Sequence, residues 1–270
     1  MRKIIRTKKS VILEYISMAP LALAFERIVE CRILSNKKFE HPLLDLGCGE
    51  GLFAKILFAE VIDTGVDPNA RELSRAKELG AYKELIKCYG DKIPKPDGSY
   101  RTILSNSVIE HIPDIDPIFK EALRLLAPGG HMYITVPTNH FEKYTWISQI
   151  LLKLRMSELQ ERFGSFFNRF WAHYHFYTPE HWKKIATKAG FEVIEMSEYG
   201  SRRACLLNDL LVPFSAMEFF TKKFTNRWTL LPGLRKILLM PIALIALKII
   251  DASDRAKPGG LVFLSLKKPS

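Results

Sequence analysis

Four residues in one short run have the types and spacing to hold a charged ligand at a sheet edge. Asp45, Gly47, Gly49 and Gly51 follow the apolar pair Leu43-Leu44, with Leu46, Cys48 and Glu50 between them. Glycine has no Cβ, so such a turn is tight and lets a ligand approach the backbone. A second carboxylate, Asp67 in Gly65-Val66-Asp67-Pro68, comes about 20 residues after the first glycine. A doubly wound fold sets an acid there against ribose hydroxyls. A nucleoside-containing cofactor is expected at this edge. The glycine spacing is G-x-G-x-G, not the G-x-G-x-x-G of a dinucleotide site. Asp45 would repel a pyrophosphate and would favour a cationic or amino-acid group.

Further along lie Gly90-Asp91-Lys92-Ile93-Pro94, Ser105-Asn106-Ser107-Val108-Ile109-Glu110-His111 and Leu125-Leu126-Ala127-Pro128-Gly129-Gly130. These segments, with the two above, cover roughly residues 40–140. Their order resembles the motifs of the class I S-adenosylmethionine (SAM) methyltransferases, most closely the broad group that includes ubiquinone- and menaquinone-biosynthesis enzymes. The resemblance implies SAM as cofactor and assigns roles. Asp45, with the Gly47, Cys48, Gly49 and Gly51 turn, holds the methionine part. Asp67 and Pro68 meet the ribose, and Asp91 with Lys92 the adenine. Ser105 and Asn106 end a strand near the transferred methyl.

An oxygen or nitrogen acceptor loses a proton on methylation, so a base is useful. His111, after Glu110, is the first candidate; His173 and His175 are the second. The alternative for each is a hydrogen-bonded structural histidine. Quinone-type enzymes of the resembled family carry an acid three residues before the Glu-His pair, linked to metal binding. This chain has Ser107 there. That argues against a metal-assisted mechanism, and no other ligand cluster is spaced for a metal in the sequence; no metal is expected.

Apolar runs bounded by turn residues predict strands near 42–46, 61–66, 84–88, 101–106 and 131–136, with helices near 51–58, 69–79 and 116–127 between them. Thr178-Pro179-Glu180 opens another helix, which stops before Gly190. Phe191–Met196 and Leu261–Leu266 read as the last two strands. The expected fold is α/β: a doubly wound, Rossmann-like seven-stranded sheet with a helical lid and a helical insert before the last strand. The expected division is a basic amphipathic helical segment (1–40, broken at Pro20), a SAM-binding core (41–137), an aromatic lid (138–177), a core continuation (178–199), a basic apolar insert (200–258) and the last strand (259–270). The lid carries Trp146, Phe163, Phe166, Phe167, Phe170, Trp171, Tyr174, Phe176 and Tyr177. They are expected to fill a helical cap and to turn one side to an acceptor pocket.

The formal net charge of +11 is uneven. Residues 1–9 carry +5 and the insert +6, leaving the remainder neutral. The insert also holds an 11-residue apolar run, Ile237 to Leu247. Spanning a bilayer takes about 20. Cations beside Trp, Phe and Leu suit an element lying in an anionic membrane surface; a helical subdomain or dimer interface is the alternative. Long aliphatic runs among the cations argue against nucleic acid. Four cysteines without C-x-x-C spacing read as reduced thiols in a cytoplasmic setting. The expected activity is methyl transfer from SAM to an apolar or lipid-linked acceptor, peripheral to the cytoplasmic membrane face. The alternatives are a soluble tailoring methyltransferase of a small metabolite or sugar, and a SAM-binding protein without catalysis.

Overall fold

The structure is a computed structural model that describes residues 8–225, 227–253 and 257–270. Most of the basic N-terminal run, residues 1–7, lies outside the described residues. Two helices lead, α1 (Lys8–Met18) and α2 (Leu21–Leu34), separated at Pro20 as expected. The core then alternates β1 (Leu43–Leu46), α3 (Leu52–Leu57), β2 (Ile62–Asp67), α4 (Ala70–Leu79), β3 (Tyr82–Lys87), β4 (Tyr100–Asn106), α5 (Asp116–Leu125) and β5 (Leu126–Pro137). After it come α6 (Trp146–Lys153), α7 (Ser157–Phe170), α8 (Pro179–Lys188), β6 (Glu192–Tyr199), α9 (Arg202–Thr225), α10 (Pro232–Ser253) and β7 (Leu261–Lys267).

The seven strands form one sheet in the order β3-β2-β1-β4-β5-β7-β6. The first five are parallel, and β7 inserts antiparallel between β5 and β6. Strand order reverses between β1 and β4. In an open parallel sheet the crevice at the carboxyl ends of such a pair is where ligands bind. Alternation along β1 divides the core: Leu43 packs with α1–α4 on one face, Leu44 with α5 and α8 on the other. Thr178 caps α8 by accepting the His181 N–H, and Gly190 follows the helix at φ +103°. Cys31, Cys48 and Cys88 are free thiols.

The two segments outside the core join each other. α2 packs on α9 and α1 on α10, although about 200 residues separate them in the chain. Arg235, at the start of α10, donates to the Ile16 and Ala19 carbonyls (2.8 and 2.9 Å) and pairs with Glu218 of α9. It thereby satisfies carbonyls that the end of α1 leaves open. Pro213 sits inside α9, where it removes a backbone donor, and the helix bends by 56° between Arg202–Pro213 and Glu218–Thr225. Among the described residues no single helix is long and apolar enough to cross a membrane.

The lid departs from expectation in one respect. None of its nine aromatics is fully buried. They stack mainly on one another, as Phe163 on Phe166 and Phe167, and Phe166 on Phe170. Trp146, Phe166, Phe170, Tyr174 and Phe176 remain exposed. α6 and α7 pack on each other as a hairpin whose outer side chains stay exposed.

Candidate active site

The edge expected to hold the cofactor is built from the turns after β1, β2 and β3. The Gly47 and Cys48 N–H groups both donate to the Val66 carbonyl at 2.9 Å, locking the first turn to β2. Gly47 has φ +77°, and a Cβ there would stand 2.3 Å from Val108 Cγ1. Gly49 has φ +51°, and a Cβ there would meet nothing within 4 Å. The first glycine is therefore needed by the protein's own packing, while the second faces open space. Asp67 bridges the turns, accepting from Gly49 N–H at 3.0 Å and Asn69 N–H at 2.8 Å. Burial raises its pKa against these two bonds. Pro68 is exposed beside it.

Asp45 is buried and accepts a hydrogen bond from the Tyr82 hydroxyl at 2.7 Å. Burial pushes its pKa up to about 7, with the Tyr82 bond opposing. Asp91 and Lys92 are exposed on the loop after β3. That loop is pinned by Glu121, which accepts the Ile93 N–H, and by Arg124, which donates to the Ile93 and Lys95 carbonyls. Ser105 is fully buried and its hydroxyl has no partner. Asn106 donates to Glu30 at 2.7 Å and accepts from Thr135 at 3.0 Å. Beyond Ser105 and Asn106, Ser107 lines the neighbouring cavity and is held in the left-handed region at φ +51°. A non-glycine residue there carries strain of order 1 kcal/mol or more, tolerated where the surroundings fix it.

A chamber of about 420 Å³ opens beside Ser107. Leu23, Phe141, Phe167, Phe170, Trp171 and Val212 give it apolar walls. Its polar end is formed by Glu26, Arg27, Glu110, His111 and His173. One whole wall comes from α9, through Cys205, Asn208, Asp209, Val212, Ser215 and Phe219. Asp209 accepts the Trp146 N–H, and the Trp146 indole donates to the Leu206 carbonyl, so α9 also carries the lid. The α9 part of the insert thus lines the chamber.

The polar end is organised by Glu30, which has no solvent exposure. Its carboxylate accepts from Arg27 at 2.6 Å, Asn106 at 2.7 Å, Tyr199 at 2.9 Å and Ser107 at 3.2 Å. Arg27 also donates to Ser107 at 2.5 Å and lies 3.4 Å from Glu26. Burial opposes the Arg27 charge, and the Glu30 and Glu26 carboxylates more than restore it. Burial pushes Glu26 up to about 7 and Glu110 up to about 8. One Glu110 oxygen, Oε2, is buried without a partner.

The histidines separate. His111 Nδ1 lies 3.2 Å from the Ala172 carbonyl, which only accepts, so Nδ1 carries the proton and Nε2 keeps its lone pair. Nε2 stands 3.8 Å from Glu110 Oε1. Burial lowers the His111 pKa. His173 lies beside it, ring centroids 5.1 Å apart, its pKa lowered to about 4 by burial and by His111. The Tyr174 N–H donates to the Glu110 carbonyl at 2.8 Å and holds this loop against the lip of β4. His175 does not line the chamber. Its Nδ1 lies 2.9 Å from the Tyr177 hydroxyl and its Nε2 2.9 Å from the Ile112 carbonyl, a structural arrangement. Donor atoms of Glu110, His111 and His173 lie within 4.8 Å of one another, a spacing that three ligands of one metal ion would have. His173 arrives from a distant loop, so linear spacing does not reveal this set.

Glu26, Arg27 and Glu30 escape a motif-based reading because they precede every motif. Their signal is three charges within five residues of a helix that is apolar around them: Leu21-Ala22-Leu23-Ala24-Phe25 before them, Ile28-Val29 between them. Charged residues are seldom fully buried unless paired.

The family described as "Methyltransferase domain" matches residues 23–196, more than half of the chain. An "uncharacterized methyltransferase" of Mycobacterium sp. (strain JLS) is 34% identical over 89 residues, 33% of this chain and 35% of that protein. A "ubiquinone biosynthesis O-methyltransferase" of Vibrio atlanticus (strain LGP32) is 25% identical over 115 residues, 39% of this chain and 47% of that protein. The chain thus spans a third to a half of these curated relatives. A crystal structure from Thermotoga maritima, described as a SAM-dependent methyltransferase and "possible histamine N-methyltransferase", superposes with a TM-score of 0.56. It is 17% identical and covers 92% of this chain and 91% of that one, a likeness of fold.

Proposed function

We propose, on the premise that this chain belongs to the methyltransferase domain family and uses S-adenosyl-L-methionine, that it methylates an apolar or lipid-linked acceptor at a membrane surface. The observation that carries this reading is the chamber: apolar walls, a polar end, and direct adjacency to the cofactor turn through Ser107 and Val108. The residues fit the cofactor. Gly49 leaves the backbone open to a close ligand, and Asp67 stands at the end of β2 for a ribose. When bound, the cofactor supplies an electrophilic methyl on a sulfonium.

The chain's own work is orientation and proton transfer. A rigid chamber holds the acceptor atom in line with the methyl, and such positioning accounts for a large part of the acceleration in a two-substrate reaction. His111 Nε2 has the free lone pair to take the acceptor's proton, and its lowered pKa keeps the ring neutral near pH 7. Glu30 positions the lip of β4 by holding Arg27, Asn106 and Ser107 together.

A second reading, a soluble methyltransferase of a small amine or hydroxyl metabolite, is favoured by the carboxyls of Glu26 and Glu110 at the chamber end and by the amine named for the Thermotoga neighbour. Incubating the protein with methyl-labelled SAM and cell extract, then separating lipid from aqueous material, decides between them. Label in the lipid fraction supports the first reading. Label only in the aqueous fraction supports the second, and no label with intact SAM binding favours a protein that binds without catalysing.

A further inference from the structure

Between Glu218 and Asp251 the chain has no acidic residue, but six basic ones. This stretch forms the end of α9, the turn after it and most of α10. α10 is apolar on two sides. Leu239, Met240, Ala243 and Leu247 pack inward, toward the core that holds α1. Ile237, Leu238, Leu244 and Ile245 face out, with Ile237 at 73% and Leu238 at 63% exposure. A helix apolar all round is normally buried all round; here half of it is uncovered.

The uncovered side continues into the turn. Phe220, Phe224, Leu230, Leu231 and Leu234 are all exposed, Phe224 at 80%. Exposed Lys223, Arg227 and Lys236 lie among them and make no ion pair among the described residues. Lys222, the adjacent cation, is turned the other way. It pairs with Glu50 at 3.0 Å and lies 4.1 Å over the Trp228 ring, and Trp228 donates its indole N–H to the same Glu50. Glu50 stands between Gly49 and Gly51. The turn is thus fastened to the cofactor loop on its inner side and bare, apolar and cationic on its outer side.

The same tip borders the acceptor chamber. Phe219 lines the chamber, is half exposed, and packs edge-on against Trp228 at 5.0 Å. Phe170 lines it from the lid side and is also exposed. Both residues present apolar surface outward at the chamber's rim.

We propose that the α9–α10 tip docks this protein on an anionic lipid bilayer, with its apolar side chains in the acyl boundary and Lys223, Arg227 and Lys236 against the headgroups. This rests on the reading of an apolar acceptor and names the surface from which that acceptor enters. Exposed apolar surface of this extent marks a partner or a membrane. Cations without intervening acids select an anionic surface, whereas a second copy of this chain would bring like charges together. An orientation in the interfacial plane suits these elements, because among the described residues no single helix is long and apolar enough to cross a bilayer.

The test uses the full chain and sedimentation with vesicles of phosphatidylcholine alone or mixed with phosphatidylglycerol. Protein is expected in the pellet with the anionic vesicles and in the supernatant with the neutral ones. Each cation near an anionic surface is worth about a fivefold change in partitioning, so Lys223→Gln, Arg227→Gln and Lys236→Gln together lower it by roughly a hundredfold. Phe224→Ser with Ile237→Ser releases the protein even at low salt. All five side chains are exposed, and SAM binding by calorimetry shows that each variant is folded. Wild-type protein that binds SAM but stays in the supernatant with both vesicle types overturns the proposal. So does a dimer by light scattering that Phe224→Ser dissociates. Vesicles without acceptor report docking alone. Label reaching cell lipids while the vesicles fail to bind protein would leave the acceptor reading standing and remove only the docking surface.

Discussion

Gly49→Ala should weaken SAM binding far more than it weakens the fold, and Gly80→Ala makes the comparison clean. Both glycines have left-handed backbone, φ +51° at Gly49 and +62° at Gly80, and at both a Cβ would meet nothing within 4 Å. Alanine at either site bears the left-handed penalty alone, about 1–2 kcal/mol. For a chain of this size that lowers the melting temperature by roughly 2–8 °C. The two sites differ in what occupies the open space. Gly80 ends α4, where its N–H donates to Ala76 and Lys77, and it faces solvent. Gly49 donates to Asp67 in the cofactor turn. An added methyl in a closely packed contact costs about 1–3 kcal/mol, or roughly 5- to 150-fold in Kd. Calorimetric titration with SAM should show that loss for Gly49→Ala and none for Gly80→Ala, at similar melting temperatures. Equal SAM affinity in the two variants would refute the placement of the cofactor against Gly49. Gly47→Ala would not discriminate, because its Cβ would collide with Val108 and destabilise the turn itself.

Three further outcomes are expected. His111→Asn should cut turnover by roughly a hundredfold or more while leaving SAM affinity unchanged, read by single-turnover kinetics beside calorimetry. Glu30→Gln leaves Arg27, 17% exposed, with Glu26 at 3.4 Å as its carboxylate partner among the described residues; removing one partner of a buried pair typically costs about 3–5 kcal/mol, which urea unfolding would register. Stability should fall as pH rises from about 4.5 to 8. Glu26, Asp45 and Glu110, raised to about 7, 7 and 8 by burial, hold protons in the folded state that the unfolded chain has already lost. His173, lowered to about 4, opposes this only below its ordinary 6.5. Melting temperature against pH should show the decline, and Glu110→Gln should flatten it.

The sheet was legible in the residue pattern because its causes are local. Leu43-Leu44 before three alternating glycines, Asp67 after the next apolar run, and Thr178-Pro179 opening α8 act within a few residues of themselves. Strand and helix positions from 42 to 136 accordingly fall within two or three residues of those expected for most elements, β5 starting five earlier. The glycine turn after β1 was legible for the same reason, since a glycine's φ and a carboxylate two residues ahead of it belong to one stretch of backbone.

The acceptor side was decided by tertiary structure. The Tyr174 N–H anchors its loop to the Glu110 carbonyl, which brings His173 beside His111, while His175 is held by the Tyr177 hydroxyl and the Ile112 carbonyl. The Glu30 cluster gathers α2, the end of β4 and β6, three segments whose separate sequences give no reason to share a carboxylate. Likewise the apolar run in α10 is equally hydrophobic on all sides, and only the packing of α1 against one of them leaves the other bare. Sequence alone determined the sheet, the glycine turn at its edge and the charge of the insert, because propensity, turn chemistry and composition are properties of short segments. Structure decided which buried charges meet, which histidine keeps a free lone pair and which apolar face stays uncovered, because each depends on distances between residues that the chain holds far apart.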